Sequence, residues 1–112
     1  MKGGCFLAVG ALLLMPLLQA ALAVSLGYLS APGGGVVPVY ESVEEIEAGV
    51  SRGNINTATM CEALDGTLVE IDEESRSRTT FMGDFMRVRI LDGDCRGKDG
   101  WAPVGSLRKR LP

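Results

Sequence analysis

The sequence predicts a small, mainly β domain that carries one short helix. Short runs such as Gly66–Asp72 (GTLVEID) and Phe85–Leu91 (FMRVRIL) alternate apolar and polar side chains, the period of a half-buried strand. Turn formers stand between and after them, with Asp92-Gly93 and Asp99-Gly100 supplying hairpin chemistry. Only one segment carries helical punctuation. An antiparallel barrel or sandwich with one helical insertion follows.

The chain opens on MKGGCFLAVGALLLMPLLQAALAV: a lysine at position 2, an uncharged apolar run from Phe6 to about Leu18, and Ala21-Leu22-Ala23 before Val24. These are the parts of a secretory signal peptide, so residues 1–23 are expected to be removed on export. The rival reading is an uncleaved membrane anchor, because low charge continues through Leu29 and about 20 apolar residues can span a bilayer. Pro16 and Gln19 interrupt the run, and an anchor has no use for the small-residue ending. Cys5 precedes the apolar stretch, which argues against a lipoprotein.

Residues 24–35, rich in Ser and Gly and ending in Gly33-Gly34-Gly35, read as a flexible linker. No Gly-Lys-Ser/Thr follows the glycines, so they make no phosphate loop. Val36–Tyr40 (VVPVY) is β-branched and aromatic, hence a strand, and Pro38 argues for an edge position. Ser42-Val43-Glu44-Glu45 fits a capping box, and Val43, Ile46 and Val50 follow at helical spacing until Gly53. The acids of that first turn suit the helix dipole and need no catalytic explanation. After the Gly66 strand, Glu73–Thr80 (EESRSRTT) reads as a polar loop. In the next strand Met86, Val88 and Ile90 oppose Arg87 and Arg89, which are expected on a solvated face. Gly100–Leu107 carries a last short strand and a turn.

Loss of residues 1–23 would leave one small domain with ten cations against fourteen anions, a net charge of −4. That balance offers no electrostatic case for nucleic acid, and Arg108-Lys109-Arg110 reads as a solvated tail. Cys5 would leave with the leader, so Cys61 and Cys95 remain as a pair. In an exported chain an even count favours a disulfide; two buried thiols are the alternative.

The stretch Asp94–Pro103 (DCRGKDGWAP) tests for chemistry. Asp92-Gly93-Asp94-Cys95-Arg96-Gly97 superficially matches a calcium loop. Arg96 stands where an oxygen ligand is required, and Pro103 stands where a bidentate glutamate should be. Zinc lacks ligands, since the chain has no histidine. The commonest general base is missing for the same reason. Asp92 and Asp94 beside glycine are turn formers. The reading is therefore non-catalytic, with no cofactor and no metal.

Arg87-Val88-Arg89-Ile90, the following glycines, Gly100-Trp101-Ala102-Pro103 and Leu107 together resemble the end of a bacterial Src homology 3 (SH3) type domain. Gly66–Ile71 is similar to that family's second strand and Val36–Tyr40 to its first. The resemblance covers about residues 36–111. It implies a five-stranded SH3-like barrel with Ser42–Leu64 as an enlarged, partly helical first loop. Eukaryotic members bind proline-rich peptides between aromatic side chains, but here Ser106 stands at the terminal tyrosine position and Phe85 replaces a tryptophan. That peptide activity is not carried over. Tyr40, Trp101 and Pro103 remain as candidate ligand contacts. Alternation puts Ala102 and Val104 on one strand face and Trp101 and Pro103 on the other. Trp101 is then either a packing lid over the helical insertion or a platform for sugar or peptide.

Two functions follow as expectations. One is a periplasmic or secreted binding module for an envelope protein or a peptidoglycan component, with membrane contact only if the leader is uncleaved. The other is a structural or inhibitory accessory protein that acts on one partner protein through the helical insertion.

Overall fold

The computed structural model describes residues 24–110; the expected leader, 1–23, lies outside them. Seven strands form one antiparallel sheet: β1 (Val24–Leu29), β2 (Val36–Tyr40), β3 (Thr59–Leu64), β4 (Leu68–Arg78), β5 (Asp84–Ile90), β6 (Asp99–Pro103) and β7 (Leu107–Lys109). Their order is β3-β2-β6-β5-β4-β1-β7, and the sheet does not close on itself. The single α-helix, α1 (Val43–Ser51), lies between β2 and β3. The mainly β expectation holds. The strand count is seven rather than five.

Val24–Leu29 is a strand and not a linker. It pairs with β4 through Val24–Asp72, Leu26–Glu70 and Tyr28–Leu68, and with β7 through Tyr28–Arg108 and Leu29–Leu107. Leu29 is completely buried, so the folded unit starts before residue 36. The inward-facing positions hide the strand from a sequence reading, because Ser25 and Gly27 look like linker residues. Gly27 is required where it stands: a Cβ there would collide with the Arg108 carbonyl and with Ile71 Cδ1.

Three further differences have local causes. β3 occupies part of the expected helical loop and pairs with β2 from Val36–Leu64 to Tyr40–Thr59. β2 therefore lies inside the strand order, yet it meets β6 through one pair only, Tyr40–Trp101. Pro38 faces no ladder on that side, which is how an interior strand tolerates it. The expected loop at Glu73–Thr80 instead continues β4 as far as Arg78. Register with β5 slips between Asp72 and Ser77, where the polar side chains bond the bulged backbone. Ser75 Oγ donates to the Asp72 carbonyl at 2.6 Å and accepts from Arg87 N at 2.7 Å, and Ser77 Oγ donates to the Ser75 carbonyl at 3.0 Å.

The helix forms as its capping residue requires. Ser42 is extended, and its Oγ accepts from Glu45 N at 3.1 Å. Ile46 and Gly49 form the buried face, and Gly49 lets the chain return close by, since a Cβ would stand 3.0 Å from Ile55 Cα.

Alternation along the strands sends side chains into two clusters. Val37, Val39, Val69, Ile71, Val88, Ile90 and Ala102 pack with Leu29, Ala63 and Cys95 on the inner face. Tyr40, Phe85, Ile46 and Ala58 pack on the outer face beneath α1, with Ile55 and Trp101 at the margin. Gly100 allows the two to meet: a Cβ there would lie 2.6 Å from Val39 Cγ1 and 2.9 Å from the Tyr40 carbonyl.

Cys61 on β3 and Cys95 in the β5–β6 turn stand at disulfide distance, with Cα atoms 6.3 Å apart. They are separated by 34 residues, and a link across such a loop contributes about 3.8 kcal/mol in the chain-entropy account. Reduction, or Cys95→Ser, is expected to lower the melting temperature by more than about 10 °C; two thiols titrating in the native protein would contradict the bridge. Gly100→Ala is expected to destabilise the fold by about 1–3 kcal/mol through overpacking, measured by denaturant unfolding. An unchanged midpoint would mean that β2 does not approach β6 so closely.

Candidate functional site

The residues that carried the sequence reading converge on the outer face of β4, β5 and β6. Cross-strand pairing sets Asp72, Arg87, Trp101 and Tyr40 in one row and Glu70, Arg89 and Asp99 in the next. Directly paired residues share a face, so both rows project to the same side. The first row ends under α1 and the second stays open.

Tyr40 is packed rather than presented. It is 6% exposed, its ring meets Phe85 edge to face with centroids 5.6 Å apart, and burial pushes its phenol pKa up. Trp101 is half-buried against the same cluster, so its body covers the helical insertion while part of it remains open beside Arg87. Pro103 pairs with Phe85 at the end of β6 and is half-buried. Tyr40 and Trp101 are thus together, but the inserted α1 covers the face between them and no aromatic groove is left.

Beyond that cover lies an open concavity of about 320 Å³, lined by Val24, Glu70, Asp72, Arg87, Arg89 and Asp99. Arg89 is committed within it: Nε and Nη2 donate to Asp99 Oδ1 and Oδ2 at 3.0 and 3.2 Å. That bidentate pair holds the Asp99 carboxyl below the usual range and raises the Arg89 guanidinium. Arg87 is exposed, and the ion pairs among the described residues do not engage it. Its side chain is the available cation of this face. The alternation of FMRVRIL pointed to an outward Arg87. Nothing in the sequence pointed to Glu70, Asp72 and Val24 beside it, because their placement depends on pairing β1 and β4 in register.

A second hollow, of about 380 Å³, opens at the end of the inner core over Ile71, Met86, Val104 and Leu107. Its rim cations are occupied, Lys109 by Glu73 and Arg76 by Asp84. Among the described residues no cluster of His, Cys, Asp and Glu could hold a metal ion, and no helix is long and apolar enough to cross a membrane.

The β4–β5 turn carries Phe81, at 78% the most exposed large hydrophobic among the described residues, beside Met82. It is held rather than loose. Thr80 N and Oγ donate to Glu47 Oε1 and Oε2 on α1 at 2.9 and 2.6 Å, and Arg76 and Arg78 both grip Asp84 at its base.

Compared with protein-family models, curated proteins and solved structures, the chain gives no match.

The surface carboxylates give the fold an acid limit. Hydrogen bonds from Thr80 lower the pKa of Glu47, Lys109 lowers that of Glu73, and Arg76 with Arg78 lowers that of Asp84. Each folded-state pKa lies below its unfolded value. Their stabilisation is complete above the ordinary carboxylate range and is lost as pH falls through the depressed values. The melting temperature is expected to drop below about pH 4, and Glu47→Gln is expected to flatten part of that drop. An identical pH profile for the variant would remove the Glu47–Thr80 clamp from the account.

Proposed function

We propose that this chain is a non-catalytic, exported, SH3-like binding module that engages peptidoglycan through the uncovered half of its β4–β5–β6 face. The SH3-like reading is supported by the contiguous strands β6-β5-β4-β1-β7. These five, with a short 3-10 turn at Val104–Ser106 before β7, make a unit of the expected size. β1 takes the place of Val36–Tyr40 as first strand, and β2, α1 and β3 become one elaborated loop. Export is supported by the leader-like start and by the disulfide-distance pair.

The observation that carries the binding reading is the uncommitted Arg87 in a concavity that also holds Glu70 and Asp72. An exposed guanidinium between carboxylates suits a ligand that presents both acidic and hydrogen-bond-donating groups, and peptidoglycan stem peptides and amino sugars do so. Trp101 adds an aromatic edge for the sugar. Purified protein is expected to be retained by peptidoglycan sacculi, with several-fold less retention for Arg87→Gln and for Trp101→Ala. Arg87→Gln changes stability by less than about 0.5 kcal/mol, as at other surface sites, so its loss of retention reports binding. Wild-type protein that washes through would sink the cell-wall assignment.

A second reading rests on the held, exposed Phe81 and Met82: an accessory protein that presents this turn to one partner protein. Retention of wild type and Phe81→Ser alike on sacculi argues for the first reading. Co-purification of one envelope protein that Phe81→Ser abolishes argues for the second.

A further inference from the structure

The concavity on the outer face is bounded at one end by Val24, the residue that follows Ala21-Leu22-Ala23. Its lining carboxylates are Glu70, Asp72 and Asp99 and its guanidiniums are Arg87 and Arg89. Three negative charges against two positive ones leave an excess of one negative charge. Val24 pairs directly with Asp72 across β1 and β4, and directly opposed Cα atoms in an antiparallel pair lie about 4.5–5.5 Å apart. Whatever charge the backbone nitrogen of Val24 carries is therefore delivered to the lip of this concavity.

We propose that export processing completes the site: the α-ammonium released at Val24 becomes its sixth charged group and neutralises the excess negative charge. An export peptidase of the hydrolytic class adds water across the Ala23–Val24 peptide bond, leaving a carboxylate on Ala23 and an ammonium on Val24. Before that step the position holds a neutral amide. Afterwards it holds a cation with three N–H donors on the residue opposed to Asp72, with Glu70 two pairs further along β4. Arg87, the β5 partner of Asp72, opposes it on the far side, Arg89 is neutralised by Asp99, and Glu73, next to Asp72 on β4, is paired with Lys109 of β7. Precursor and mature chain thus present different charge patterns to the same ligand. The mature pattern has two separate cations, the Val24 ammonium and the Arg87 guanidinium, with the Asp72 carboxylate between them. That arrangement fits a ligand with two acidic groups, such as the free carboxylates of a peptide. This inference rests on the export part of the reading above, and it is tested without a ligand.

The test uses the protein recovered from export. Intact mass is expected to place the mature start at Val24. The Val24 amine, followed by NMR on labelled protein, is expected to titrate above the ordinary α-amino range of about 7.7–8.0. Asp72→Asn is expected to return it towards that range, and Arg87→Gln to raise it further by removing the opposing charge. Glu70→Gln serves in the same way should Asp72→Asn fail to fold. A different mature N-terminus, an ordinary amine in wild type, or no response to the carboxylate variant would each overturn the proposal. A raised amine in protein that sacculi do not retain would leave it standing while sinking the peptidoglycan assignment.

Discussion

The close approach of β2 to β6 over Gly100 governs how this molecule is assembled. β2 touches the main sheet through one residue pair, so the β2–α1–β3 arm has little ladder bonding to hold it there. The arm gains its position by seating Val39 on one face of the sheet and Tyr40 on the other, which is possible only where β6 has no side chain in the way. Everything on the outer face follows from that contact. Tyr40 meets Phe85, Ile46 closes over both, and Trp101 becomes the boundary of the covered region. The link between Cys61 and Cys95 ties the far edge of the same arm to the β5–β6 turn, which resists peeling at the end remote from Gly100.

One consequence is a division of labour along a single sheet face. The alternation of β5 sends Phe85, Arg87 and Arg89 to the same side, yet the first is sealed and the other two are wet. The boundary is set by the length of α1, not by the strand. A two-turn helix covers the Phe85 end only, and the charged rows beyond it remain accessible. The arm closes the aromatic part of the face and leaves its charged part open, which separates this chain from domains that grip peptides between aromatic ridges.

Much of this was legible in the sequence where one face of an element is apolar and the other polar. GTLVEID and FMRVRIL declared their strands and their inward residues, Ser42 declared the start of α1, and Asp92-Gly93 declared the turn that holds Cys95, whereas Asp99-Gly100 opens β6 instead of turning. The failures share a cause. β1 turns Gly27 inward because Arg108 and Ile71 crowd that position, so its pattern imitates a linker. The second half of β4 is polar on both faces because its serines bond a bulged backbone, so it imitates a loop. β3 borrows its stability from β2 and the cysteine link. The candidate site was half visible: Arg87 and Trp101 could be placed on the outer side from alternation alone. Val24, Asp72 and Glu70 join them through strand register, a long-range property that no local run of residues carries.

The seam between β1 and β7 also sets an order of events. Leu29 faces Leu107 and Tyr28 faces Arg108, so the first described strand is bonded to the last, with nearly the whole domain between them. Contacts of such long range cost the most loop-closure entropy and form late. A chain that emerges N-terminus first, from a ribosome or from a translocation pore, holds β1 without either neighbour until β4 and then β7 have followed. The sheet is thereby kept incomplete for as long as the chain is still being threaded, and its final strand acts as the latch that ends that interval.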